Sequence, residues 1–223
     1  MSDHTSKPAF FVPSPIQIRH PRLPSRVNAR PHMTAMAPRR VLVTIGTGSE
    51  EIETAAAVDT LRRAGADVTL ASVESSLEVN MSRGMSYKAD ILVADATPPY
   101  DAIALPGGMP GAERLRDSEK LTALLKDAAS SGRIVAAVCA SPAVVLASHG
   151  LLDGVDATCY PADGFVKQIV KKAEADVVVG KDGTFITGTG PGTAIKWALA
   201  IVEALYGKEK ADKIASDMLV TRD

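Results

Sequence analysis

Residues 134–138 (Ile, Val, Ala, Ala, Val) run directly into Cys139, and Ala140-Ser141-Pro142 follow. Five apolar residues, two of them β-branched at the start, read as a fully buried strand. The run 143–147, ending at Gly150, reads as an amphipathic helix. Cys139 then sits on a sharp strand-to-helix turn, the geometry of a nucleophile elbow with cysteine in place of serine. A thiol there faces the unpaired N–H groups of a first helical turn, and the helix dipole favours its thiolate. The competing reading is an inert core residue, because free cysteine packs as a small hydrophobe.

Two further stretches carry chemistry-bearing groups. Gly46-Thr47-Gly48-Ser49 precedes Glu50, Glu51 and Glu53. The spacing is not that of a dinucleotide or P-loop motif, since Glu51 stands where a third glycine belongs, and acids at a helix start repel phosphate. Ser49 is the expected N-cap, with Glu50 and Glu51 as dipole-favoured residues on a solvated face. Glu53 lies one turn further in, between Ile52 and the alanines 55–57, and is expected to be partly buried. The second stretch is Pro106-Gly107-Gly108, where two side-chain-free residues let backbone N–H groups approach a ligand closely.

These groups need a frame. Apolar runs at 41–45, 67–73, 91–93, 101–105 and 134–138 read as strands. A helix follows the first, closed by Gly65, and another spans about 118–131, closed by Gly132. Residues 77–87 suggest a less regular hairpin, and 176–179 with 184–187 a second one around Gly180 and Gly183. A short helical piece is expected over 164–172, then helices over 195–207 and 208–217. The order βαβ…βαβα predicts an α/β fold with a doubly wound, mostly parallel sheet sandwiched by helices, whose sites lie beyond the carboxyl ends of strands. The glutamate turn, the Gly107-Gly108 turn and Cys139 all fall at such ends, so one crevice can hold all three.

Composition bounds the rest. The chain has 223 residues, 46% of them hydrophobic, which suits one large globular domain over 39–223. Residues 1–38 hold seven prolines and one acid, Asp3. This basic tail is expected to be disordered, and it resembles an organelle transit peptide in being Arg-rich and acid-poor. The location is then cytoplasmic, or a chloroplast or mitochondrion if the tail is such a peptide. Seven basic residues lie in the first 40 positions, which leaves 18 basic against 25 acidic residues in the body. That acidic body argues against nucleic acid as the main partner. No apolar run is long enough for a membrane span. Cys139 and Cys159 do not make a disulfide framework, and no Cys/His cluster has metal-ligand spacing. Cys159 and Trp197 read as core, and His149 as a helix C-terminal residue.

The motifs Glu50-Glu51-Ile52-Glu53-Thr54, Pro106-Gly107-Gly108, Val138-Cys139-Ala140-Ser141-Pro142 and Gly190-Pro191-Gly192-Thr193 with 198–205 occur in this order. Together they resemble the DJ-1/PfpI superfamily, and most closely its Parkinson-disease deglycase branch with plant and bacterial members. The resemblance covers about 39–220. It implies a flavodoxin-like fold and a homodimer, with Cys139 as the reactive cysteine and Glu53 as the carboxylate beside it, lowering the thiol pKa. It implies that Gly108 and Ala140, next to Gly107, form an oxyanion or substrate site. It places Arg63 and Arg83 at a dimer interface near the site, and Pro191 in reach of the partner's site. The human-type branch has a histidine near the position of Tyr160, and the protease-like branch has one where Ala140 stands, so peptidase and amidotransferase chemistry are not expected. The implied activity is a cofactor-independent, metal-free glyoxalase or protein deglycase, with small 2-oxoaldehydes or glycated proteins as partners. The alternative is a redox sensor or stress chaperone working through oxidation of the same cysteine.

Overall fold

The computed structural model describes residues 37–180 and 183–222. The disorder and transit peptide expected of the N-terminal tail fall on residues 1–36, outside the described residues. The described residues form one compact unit beginning at Ala37. Strands β1 (Arg40–Ile45) and β2 (Asp67–Ser72) flank helix α1 (Glu51–Ala64). A small antiparallel hairpin, β3 (Glu78–Asn80) and β4 (Ser86–Lys88), follows, then β5 (Ile91–Leu92) and β6 (Ala102–Leu105). Helices α2 (Gly111–Arg116) and α3 (Glu119–Ser130) lead to β7 (Ile134–Val138). Beyond it lie β8 (Asp156–Ala157), α4 (Asp163–Val166), β9 (Lys171–Lys172), β10 (Val177–Gly180) and β11 (Phe185–Gly188). Helices α5 (Ala194–Tyr206) and α6 (Lys208–Asp217) complete the described chain.

The central sheet has seven strands in the order β10-β11-β7-β6-β1-β2-β5. All neighbours pair in parallel except β10 with β11. This is the doubly wound, flavodoxin-like arrangement. Its strands read as unbroken apolar runs because both faces are covered. Val41, Val43 and Ile45 of β1 pack with Leu61 of α1, Trp197, Ile201 and Val202 of α5 and Ile214 of α6. Leu42 faces the opposite layer with Leu115 of α2 and Leu121 and Leu125 of α3. Trp197 is fully buried, and its indole N–H donates to the Ile186 carbonyl at 3.1 Å, so the large ring leaves no polar atom unmet.

Four local expectations are corrected. Glu50, not Ser49, caps α1: its carboxylate accepts the Glu53 N–H at 2.8 Å. Ser49 instead bonds one turn back, its hydroxyl accepting the Gly46 N–H at 3.0 Å. Glu50 and Glu51 are buried, not solvated: the Gly107-Gly108 turn lies against Glu50, and the β3–β4 hairpin folds over Glu51. The run after Cys139 is a π-type turn over Pro142–Leu146 and a 3-10 turn over Ala147–His149, and Pro142 to Leu146 are all buried rather than amphipathic. Of the helical piece expected over 164–172, only α4 forms; its end becomes β9, paired in parallel with β8. Among the described residues, no helix is long and apolar enough to cross a membrane.

Candidate active site

The parallel register brings the ends of β1, β6 and β7 side by side, since Val43 pairs with Ala104 and Leu105 with Ala137. The chain leaves β7 at Cys139 with φ 63°. A non-glycine residue in this region costs about 1–3 kcal/mol and persists only where its surroundings fix it. Here they do. The Cys139 N–H donates to the Gly188 carbonyl at 3.0 Å, and the Tyr160 N–H donates to the Cys139 carbonyl at 2.8 Å. Gly107 packs against the elbow from β6: a side chain there would bring Cβ to 2.7 Å from Cys139 Cβ and 2.8 Å from the Ala140 nitrogen. Ser141 completes the clamp, its buried hydroxyl donating to the Pro106 carbonyl at 2.5 Å.

Glu53 reaches this elbow from the first turn of α1 and is fully buried. Its Oε2 accepts the Gly107 N–H at 2.7 Å. Its Oε1 is buried without a well-formed hydrogen bond, and the polar side chain acting on this carboxyl is the Cys139 thiol. Gly107 therefore supports the carboxyl. Its N–H is taken, so it does not serve as an oxyanion donor. The N–H groups of Gly108 and Ala140 act on the Cys139 sulfur itself. Gly108 has φ +83°, and a Cβ there would meet the Gly48 carbonyl oxygen at 2.5 Å and the Glu50 nitrogen at 2.6 Å, so only glycine fits the turn.

The electrostatics correct the expectation of a simply lowered thiol pKa. Burial pushes the Glu53 carboxyl up to about 7, against the Gly107 N–H and with the help of the Glu50 charge. Burial, and next the charge of Glu53, push the Cys139 thiol up to about 12, while the Gly108 and Ala140 N–H groups pull it down. Two such groups titrate as a pair. Below about 7 the pair carries two protons; between about 7 and 12 it carries one. That single proton has two places. On sulfur it leaves an ionised Glu53; on Glu53 it removes the repelling charge and leaves a thiolate facing two N–H donors. The two side chains are thus placed so that a cysteine–carboxyl dyad could share one proton, with sulfur the stronger proton holder of the two.

The other expected residues are spread around the dyad. The Tyr160 ring is 45% exposed, packs edge-on against Phe165 at 6.5 Å and lies beside Gly190. Pro191 follows Gly190 in a 3-10 turn over Pro191–Thr193. Arg83 belongs to the β3–β4 turn, and its backbone N–H donates to Glu51. Arg63 does not join this group: it lies in the last turn of α1, about 15 Å along the axis from Glu53, and pairs with Asp59. His149 is no base for Cys139, since its Nε2 lies 3.1 Å from the Thr122 hydroxyl and 3.0 Å from the Arg116 carbonyl.

Sequence reasoning missed Glu51. It accepts from the Ser82 hydroxyl and from the N–H groups of Arg83 and Met85, while the Tyr87 hydroxyl donates to its backbone carbonyl. Burial works to raise its carboxyl, and the bonds from Ser82 and from the Arg83 backbone outweigh this and hold it low. Its role depends on a hairpin some thirty residues away, which no local pattern signals.

A doubly wound sheet with a strained cysteine elbow and a buried carboxyl on the neighbouring helix defines the class. The DJ-1/PfpI family profile matches residues 39–204, and the chain belongs to that family, in its DJ-1-like branch. It is 44% identical to DJ-1 homolog B of Arabidopsis thaliana over 182 residues, 81% of this chain but 41% of that protein. The chain thus spans less than half the length of that relative. It is 33% identical over 177 residues to the glutathione-independent glyoxalase DJR-1.2 of Caenorhabditis elegans, covering 78% of this chain and 92% of that one. The structure of oxidised Toxoplasma gondii DJ-1 superposes with a TM-score of 0.79 at 49% identity, covering 82% of this chain and 99% of that one.

Proposed function

We propose that the chain is a cysteine-dependent glyoxalase that converts methylglyoxal to lactate without an external cofactor, or a deglycase acting on early glyoxal adducts of proteins. The observation that carries this reading is the buried Glu53 carboxyl, held by the Gly107 N–H with its second oxygen unpaired, beside the Cys139 thiol at the elbow. The thiolate attacks the aldehyde carbon of the 2-oxoaldehyde, and the carbonyl oxygen takes the proton from Glu53, giving a hemithioacetal. The Glu53 carboxylate then removes the hydrogen from that carbon as a proton and returns it to the adjacent carbon, while the hemithioacetal hydroxyl proton passes to the adjacent carbonyl oxygen through an enediol. One carbon is oxidised to a thioester and its neighbour reduced to an alcohol, so no outside electrons are needed. Water cleaves the thioester, releasing the hydroxy acid and the thiol. Deglycation shares the hemithioacetal step. The relative named as a glutathione-independent glyoxalase supports the same chemistry.

The test follows methylglyoxal loss and lactate gain at neutral pH. The intact protein consumes the aldehyde and Cys139→Ser does not; full activity in that variant would refute the reading. Glycated peptide supplied in place of free aldehyde separates deglycase from glyoxalase.

The sulfur environment also favours a second reading, a redox sensor or stress chaperone without turnover. Two N–H donors and a protonated carboxyl suit a sulfinate, formed from the thiolate by two equivalents of peroxide with release of two waters. Peroxide titration followed by intact mass gives a gain of two oxygens at Cys139, and an inert thiol would sink this reading. Both take the chain as a homodimer using the face that carries Arg63, Arg83 and the exposed Ile52 and Met85; light scattering of the purified protein checks the mass.

A further inference from the structure

Three backbone and side-chain bonds close a ring that passes through Glu53, the carboxyl member of the dyad. The Glu50 N–H donates to the Gly107 carbonyl at 3.0 Å. The Gly107 N–H donates to Glu53 Oε2 at 2.7 Å. The Glu53 N–H donates to Glu50 Oε2 at 2.8 Å. Glu50 is thus tied at its backbone to the turn that presents Gly108 to the sulfur, and at its side chain to the residue that shares the proton.

From this ring, and resting on the dyad reading above, we infer that Glu50 is a positioning residue: its negative charge biases the shared proton towards Glu53 and so raises the share of Cys139 held as thiolate. Glu50 is only 7% exposed, too buried for water to screen its charge fully. It occupies the start of a 14-residue helix, where free N–H groups and the helix dipole favour a negative charge. Glu53 sits one turn on, where a second charge is opposed by the first. The groups acting on Glu53 are the Gly107 N–H, the Glu50 charge and the Cys139 thiol, and no cation is among them. From β4, the Tyr87 hydroxyl faces the Glu51 and Glu50 charges and is itself pushed up, chiefly by burial. Glu51, on the same helix turn, is committed to Ser82 and Arg83. The charge acting on the Cys139 sulfur is that of Glu53. Glu50 therefore biases the proton between the two partners instead of repelling both equally.

The test is Cys139 alkylation by iodoacetamide against pH, read by intact mass, which needs no turnover. In Glu50→Gln the amide oxygen still accepts the Glu53 N–H, so the cap survives and only the charge is lost. The midpoint of the acid limb then falls by about half to one pH unit, and the plateau rate falls about threefold or more, because Glu53 gives up its proton more readily and returns it to sulfur. Glu50→Asp, which keeps the charge, restores the wild-type midpoint. If Glu50→Gln does not fold, Glu50→Asp against Glu50→Asn makes the same comparison, since both are good N-cap residues. A midpoint and plateau unchanged on loss of the charge would overturn the inference. A wild-type protein with this alkylation profile but no aldehyde turnover would instead remove the proposed activity and leave the role of Glu50 standing.

Discussion

The two cysteines differ in company more than in depth. Cys159 is fully buried, its thiol donates to the Tyr160 carbonyl at 3.4 Å, and burial raises it with only the Lys172 charge opposing. Cys139 is also raised by burial, yet it lies on a strained turn, with two N–H donors and a carboxyl that itself titrates near neutrality. Burial alone makes a thiol inert; a neighbour able to take its proton makes the same burial useful. Among the described residues, the one side-chain charge acting on the Cys159 thiol is that of Lys172, a cation and not a proton acceptor.

The comparison can be broken first by swapping each sulfur for oxygen. Cys139→Ser should lower 2-oxoaldehyde turnover about a thousandfold or more, whereas Cys159→Ser should leave it within about twofold, because only one thiol is a nucleophile. Comparable losses in both, measured by initial rates, would erase the distinction. Next in size is Glu53→Gln. The amide accepts from Gly107 and donates to the thiolate but moves no proton, so turnover should fall about 10²–10⁴-fold while Cys139 still alkylates. Loss of both would mean that Glu53 only holds the elbow's shape.

Stability sharpens the contrast from another side. The folded Glu53 carboxyl sits at about 7, above its ordinary 4.5, so the fold binds the proton more tightly than the unfolded chain does. That contribution is fully present below 4.5 and is lost as pH rises through about 7. Glu53→Gln has no such loss and should be more stable than the wild type at pH 8 by about 3 kcal/mol, with little difference near pH 4.5. Denaturant melts at the two pH values read this directly. The smallest effect is the rate profile itself. Activity should rise through about pH 7 as the dyad releases its first proton, falling about tenfold for each unit below that value. Alkylation of Cys159 in the unfolded chain supplies the reference, with the ordinary profile of an isolated thiol.

Much of this was legible in the residues. Unbroken apolar runs marked β1, β6 and β7, because parallel strands covered on both faces need no polar side. The glycine pairs and Cys139 at their ends marked the crevice. What stayed hidden depends on distant contacts. Capping patterns describe α1 by itself, so Glu50 and Glu51 read as solvated; the Gly107-Gly108 turn against Glu50 and the hairpin at 78–88 over Glu51 enter only with the tertiary fold. The left-handed backbone of Cys139 is set by Gly188, Tyr160 and Gly107 acting together. The titration of the dyad follows from the packing of two residues 86 positions apart, which spacing alone does not quantify.

The closed ring through Glu50, Glu53 and Gly107 has a kinetic signature. Its three amide hydrogens are each bonded within the ring, and Glu50 and Glu53 are buried, so we expect the three to open together. Their deuterium uptake should therefore proceed with one common rate, as a single opening unit. A bound adduct on the sulfur should slow all three together.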